Sequence, residues 1–120
     1  MSLFRVSLVV ADPRDTTRAT PAVDALVDTG SELSWLPAPL LERAGIVRLR
    51  KKTFKTASGE TLVRDIGYAV LRAEGFETID EVVFAEPQDM TRLGVRTIEG
   101  FAATVDPIAH RLVATTTIAA

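Results

Sequence analysis

The stretch VDALVDTGSELSWLP, residues 23–37, sets an acid where an apolar run would otherwise carry on. Val23, Ala25, Leu26 and Val27 have the pattern of a half-buried or buried strand, which puts Asp28 at the strand's end. Thr29 and Gly30 turn the chain, and Leu33, Trp35 and Leu36 return it at once to apolar surroundings. A carboxylate beside so much apolar surface is costly unless it is paired or hydrogen-bonded. Two roles are open to it from these residues alone. Asp28 is either a turn carboxylate that accepts N–H groups from the Gly30 turn, or a group placed for chemistry.

Outward from this segment the chain reads as many short strands and two short helices. A first strand is expected over Leu3–Val10, and ADPRDTTRAT, 11–20, with Pro13, reads as a loop or broad turn. Pro37 and Pro39 stand where a short helix begins; it would use Leu40, Leu41 and Ala44 and stop at Gly45. Residues 46–71 alternate as strands and turns, with Ser58-Gly59 a turn and Gly67 a bend or close approach. AEGF, 73–76, is another turn, and Ile79–Ala85 is a strand closed by Pro87. Leu93, Val95, Ile98, Phe101 and Ala102 recur at helical spacing behind Gly94. Val105, Asp106-Pro107, Leu112 and Val113 make a strand–turn–strand, and the terminal ATTTIAA leans toward one more strand. The fold class is all-β: a small, closed or strongly bent barrel-like sheet with one or two short helices.

Composition narrows the function. The 120 residues suit a single domain. With 14 basic and 16 acidic residues there is no long-range pull toward nucleic acid, and RLRKK, 48–52, reads as a solvated edge. The opening MSLFRVSLVVADPRD lacks a membrane span and a signal-cleavage region. No membrane partner is expected, and the absence of cysteine fits a reducing, cytoplasmic setting. No thiol nucleophile, phosphate-binding glycine motif or metal-ligand spacing is present, so neither metal nor cofactor is expected. The lone His110 reads as a turn residue, and Ser31, Ser34 and Ser58 lack a histidine partner that would make them nucleophiles.

With those routes closed, VDALVDTGSELSWLP resembles the active-site segment of the retroviral-type (retropepsin-like) aspartic proteases, particularly their small bacterial members. TFKTASGETLVRDIGYAVL, 53–71, is similar to their flap hairpin and its return strand; RLGVRTIEGF, 92–101, to their second signature; and VDPIAHRLV, 105–113, to their closing hairpin. The resemblance implies the acid-protease fold and an aspartic endopeptidase assembled as a homodimer, each chain giving one aspartate to a site that cuts an extended peptide. Asp28 would be the catalytic acid, Thr29 would bond across the dimer, Gly30 would present backbone to substrate, and Ser31 would hydrogen-bond the outer carboxylate oxygen. Ser58, Gly59, Glu60 and Thr61 would form the flap. Leu93 and Gly94 would lie where the chain crosses behind the active-site loop.

The need for two carboxylates argues independently for a dimer. Such hydrolysis uses two acids sharing one proton, and no other aspartate here, among Asp12, Asp24, Asp65, Asp80, Asp89 and Asp106, has a setting like that of Asp28. Arg92 departs from the family, whose second signature is apolar at that position; an Arg92 pointing outward would accommodate the difference. Trp35, Leu36, Phe54 and Ile66 are candidate pocket walls. Two rival readings share the sequence: a protein of this fold that binds peptides or oligomerises without appreciable hydrolysis, and an unrelated small barrel in which Asp28 is structural.

Overall fold

A computed structural model describes residues 3–119. The first strand, β1 (Arg5–Asp12), points Val6, Leu8 and Val10 inward by simple alternation. It runs two residues past the expected end and turns at Pro13-Arg14 into β2 (Asp15–Ala19), in the segment read as a loop. Every residue of β2 is exposed, so it has no apolar alternation to betray it; threonines on a sheet edge suffice. Next come β3 (Val23–Asp28), β4 (Ser34–Pro37) and the one-and-a-half-turn helix α1 (Ala38–Arg43). Gly45, at φ +82°, ends the helix as expected.

Two hairpins carry the middle of the chain. In the first, β5 (Arg50–Lys55) turns at Ala57–Gly59 into β6 (Thr61–Ala73). In the second, β6 pairs with β7 (Phe76–Ala85) across Glu74-Gly75, both at positive φ, as a tight two-residue hairpin turn requires. A Cβ on Gly67 would lie 2.3 Å from the Val47 carbonyl oxygen, which is the close approach anticipated for that glycine. Then β8 (Arg92–Gly94) leads directly into α2 (Val95–Gly100), and β9 (Ala103–Asp106) pairs with β10 (Arg111–Ala114) as a separate ribbon. The ribbon's turn is held by the Asp106 carboxylate, which accepts the Ile108 and Ala109 N–H groups and is thereby held below the usual carboxylate range. His110 closes that turn at φ 54° and stacks on Phe4. Residues 115–119 form no strand within this chain; Thr115 spends its N–H on the Ala102 carbonyl.

Eight strands share one sheet in the order β2-β1-β3-β8-β4-β7-β6-β5. A further pairing, Leu8–Ala11 of β1 with Val70–Ala73 of β6, brings the sheet round on itself into the expected barrel-like form. The main core lies inside this curve, around Leu8, Leu36, Leu41, Leu71, Val82 and Phe84. A second, smaller cluster of Leu33, Trp35, Ile66, Val83 and Ala85 packs on the other face, covered by Phe54 and Leu62. Strand β4 divides the two clusters: Ser34 and Leu36 look one way, Leu33 and Trp35 the other.

Candidate active site

The short strand β8 is what makes a site of the Asp28 loop. It lies parallel to β3, with Asp28 opposite Gly94, and antiparallel to β4, with Trp35 opposite Arg92. The loop 29–33 therefore leaves one side of β8 and returns on the other. Backbone bonds fasten it from behind: the Val95 and Arg96 N–H groups, orphan donors of α2's first turn, are accepted by the Ser31 and Glu32 carbonyls at 2.8 and 3.1 Å. Gly94 crosses so close that a Cβ there would lie 2.3 Å from the Leu33 carbonyl oxygen. Leu93 is fully buried beside it. Both residues lie behind the loop.

A directed chain of hydroxyls completes the support. The Gly94 N–H donates to Ser34 Oγ at 2.9 Å, and Thr97 Oγ1 donates to the Asp80 carboxylate at 3.2 Å. Because Asp80 only accepts, the 2.7 Å bond between the two hydroxyls must run from Ser34 to Thr97. Ser34→Ala would leave a buried N–H unpaired and is expected to cost about 2 kcal/mol in denaturant unfolding. A cost below about 0.5 kcal/mol would show that the relay does not hold the loop.

Asp28 projects from this frame with about a third of its side chain exposed, and its Oδ1 accepts the Gly30 N–H at 3.0 Å. Thr29 is exposed next to it. Ser31 departs from expectation: its hydroxyl donates to the Leu33 carbonyl at 2.8 Å rather than to Asp28. The side chain is buried beneath the turn, where that carbonyl is its partner in reach. The outer oxygen Oδ2 instead faces Arg92, whose Nη1 is 3.5 Å away. Arg92 thus points into the site, not outward. Its place in β8, between Leu26 and Trp35, sends the side chain over the Trp35 ring, 5.4 Å from guanidinium to centroid.

Asp28, Gly30 and Ser31 lie at a cleft of about 720 Å³ that Trp35, Arg92 and the β5 arm of the hairpin wall in. Trp35 and Phe54 meet at 4.9 Å within the wall, as two of the four candidate wall residues; Leu36 turns into the main core, and Ile66 is covered. The hairpin contributes Lys52 to Ala57 and Leu62, not the expected flap residues Ser58, Gly59, Glu60 and Thr61. Those four form the exposed tip and the start of β6. Their turn is closed by Thr56, which accepts the Gly59 N–H on its carbonyl and the Glu60 N–H on its hydroxyl.

Two more acids, Glu32 and Asp89, lie at the cleft. Asp89 receives Arg64 in two parallel bonds of 2.7 and 3.0 Å, both side chains being more than nine-tenths buried. The guanidinium, with the Glu86 N–H, holds the Asp89 carboxyl below the usual carboxylate range. A carboxyl whose folded value is depressed stabilises the fold above its unfolded value, near pH 3.9, and loses that contribution as pH falls through the folded value. The melting-temperature gap between wild type and Asp89→Asn should therefore be wide at about pH 6 and shrink toward about pH 2. A gap that does not narrow would contradict the pairing.

With this geometry in view, an aspartyl protease family pattern matches residues 16–105, from β2 through β9. The chain belongs to the aspartyl protease family. No curated protein sequence matches it. Among solved structures, this family member is similar to the simian foamy virus (mac) protease in solution, with TM-score 0.54 and 20% identity over 80% of this chain and 92% of that one. It is also similar to a foamy viral protease–reverse transcriptase solved with double-stranded DNA, with TM-score 0.52 and 18% identity over 78% of this chain but only 14% of that longer one. At such identities the likeness establishes the retroviral-protease fold.

Proposed function

We propose that this chain is an aspartic endopeptidase whose active site forms between two copies, each supplying Asp28. The observation that carries the reading is a partly exposed carboxylate at a rigid strand end, on an open cleft that has no second acid to spare. Among the described residues lining that cleft, Asp89 is spent on Arg64, and Glu32 lies largely in solvent, 3.6 Å from Arg96. A second Asp28 related by two-fold symmetry meets the need most simply.

In that pair the two carboxylates share one proton, the general property of aspartic-protease dyads, carried over here to Asp28. The ionised partner takes a proton from water, which attacks the scissile carbonyl. The protonated partner hydrogen-bonds the carbonyl oxygen and later helps protonate the departing amine. Thr29, exposed beside Asp28, would bond across the two-fold axis. Strand β5 is an edge of the sheet and lines the cleft, so an extended peptide finds unpaired strand hydrogen-bonding groups along it. Closure of the β5–β6 hairpin over the peptide would exclude water.

The test is cleavage of an unbiased peptide library between about pH 4 and pH 7, with the mass in solution recorded on the same samples. Cleavage by a dimer is the expected result. A dimer that binds peptides and cuts none would replace the peptidase with a peptide-binding module of the same fold. A monomer that does neither would return Asp28 to a structural role.

A further inference from the structure

The cleft carries acids and bases in equal number, and of the acids only Asp28 stands within ion-pair distance of a cation that lines it. Its charged lining consists of Asp28, Glu32, Lys52, Lys55, Asp89 and Arg92. Two of the acids are committed elsewhere, Asp89 to Arg64 and Glu32 toward Arg96. Among the described residues neither Lys52 nor Lys55 has an ion-pair partner, although Lys52 is half-buried on the wall. The Asp28 carboxylate thus shares the cleft with three cations, of which Arg92 alone is within ion-pair distance.

Arg92 is the closest of these, and its buried Nε has no hydrogen-bond partner. Asp28, the one carboxylate within ion-pair distance of it among the described residues, stands 3.5 Å away, too long for the short, paired geometry of a guanidinium and a carboxylate. Asp89 is near enough to feel the Arg92 charge but is itself bonded to Arg64. Buried donors are rarely left unpaired, and doing so opposes folding. Nor is the side chain free to swing away. The backbone is clamped between β3 and β4, and the Trp35 ring lies beneath the guanidinium. An apolar residue would seal this wall with no such penalty, so the fixed, half-satisfied cation calls for a ligand.

Resting on the two-chain peptidase reading above, we propose that Arg92 is a specificity residue that receives an acidic side chain of the substrate beside the scissile bond. When two Asp28 carboxylates share a proton they carry a single negative charge between them, while two Arg92 side chains bring two positive ones. The surplus is positive before Lys52 is added. A glutamate or aspartate of the peptide supplies the missing carboxylate, and Arg92 offers it a charge-assisted bond on the cleft wall. Two-fold symmetry provides one such subsite on either side of the dyad.

Trp35, the only tryptophan, is in contact with Arg92 and reports on occupancy by its fluorescence. The experiment titrates wild type, Arg92→Leu and Arg92→Lys with neutral extended peptides in which a single Glu replaces Gln at each position in turn, and follows cleavage in the same samples. At one or two central positions Glu should bind about tenfold tighter than Gln to wild type. That preference should vanish in Arg92→Leu and survive in weakened form in Arg92→Lys, whose retained charge separates recognition from any loss of packing. Equal binding of Glu and Gln peptides at every position, a preference that persists in Arg92→Leu, or no peptide binding at all would overturn the assignment. Selective binding without cleavage would keep this subsite and sink the peptidase; cleavage indifferent to Glu would do the reverse.

Discussion

Asp28→Asn is expected to lower kcat/KM for peptide cleavage by at least about 10³-fold while leaving the fold intact. The amide has the size of the carboxylate, and its oxygen still accepts the Gly30 N–H that now fixes Oδ1 at 3.0 Å. Stability should hardly change, because the Gly30 N–H keeps its acceptor and the ion pair lost with Arg92 is a long, partly exposed one at 3.5 Å. What is lost is the exchange of a proton between two carboxyl groups, without which neither the attacking water nor the departing amine is served. The measurement pairs cleavage rates with thermal melts on one preparation. Activity within about tenfold of wild type would mean that another acid does the chemistry and that Asp28 only shapes its turn.

Gly94→Ala should be the most damaging small change in stability. The added Cβ would meet the Leu33 carbonyl oxygen and carbon at 2.3 and 2.5 Å and the Glu32 oxygen at 2.9 Å, all of them backbone atoms. Side chains can rotate away from a clash; these atoms cannot retreat without releasing the bonds from Val95 and Arg96 to the Ser31 and Glu32 carbonyls. The Gly94 N–H bond to Ser34 would go with them. The expected cost exceeds about 4 kcal/mol, enough to prevent folding of a domain of ordinary stability. Expression as insoluble material, or a loss of about 15 °C or more in Tm, meets the expectation. A shift of only a few degrees, on the order of 1 kcal/mol, would mean that β8 does not press on the loop as closely as this geometry requires.

Features that follow from local rules were legible in the sequence. An apolar run ending in an acid, followed by a threonine and glycine, put Asp28 at the end of a strand; that Gly94 lies behind it was implied by the family resemblance, the local pattern giving only a helix after that glycine. His110 as a turn residue and Gly45 as a helix stop follow equally from backbone preference. Directions across the sheet were not legible. Arg92 faces Asp28 because β8 lies between β3 and β4, a crossover that no local periodicity records. Ser31 finds the Leu33 carbonyl because the loop folds under itself, and β2 hides in a wholly exposed polar segment. The hairpin was expected as a flap at Ser58–Thr61, yet the arm that lines the cleft is β5 rather than the tip. An alternating strand names two faces without saying which one looks at the acid.

The central claim, one site built from two copies of Asp28, is tested most directly by mixing. Wild-type chains are blended with Asp28→Asn chains at equal total concentration, allowed to exchange partners, and assayed for peptide cleavage. If both aspartates are required, only dimers of two wild-type chains cut, and an equal mixture retains about a quarter of the activity. Activity that falls only to about half, in proportion to the wild-type chains present, would show that each chain works alone and would contradict the shared site.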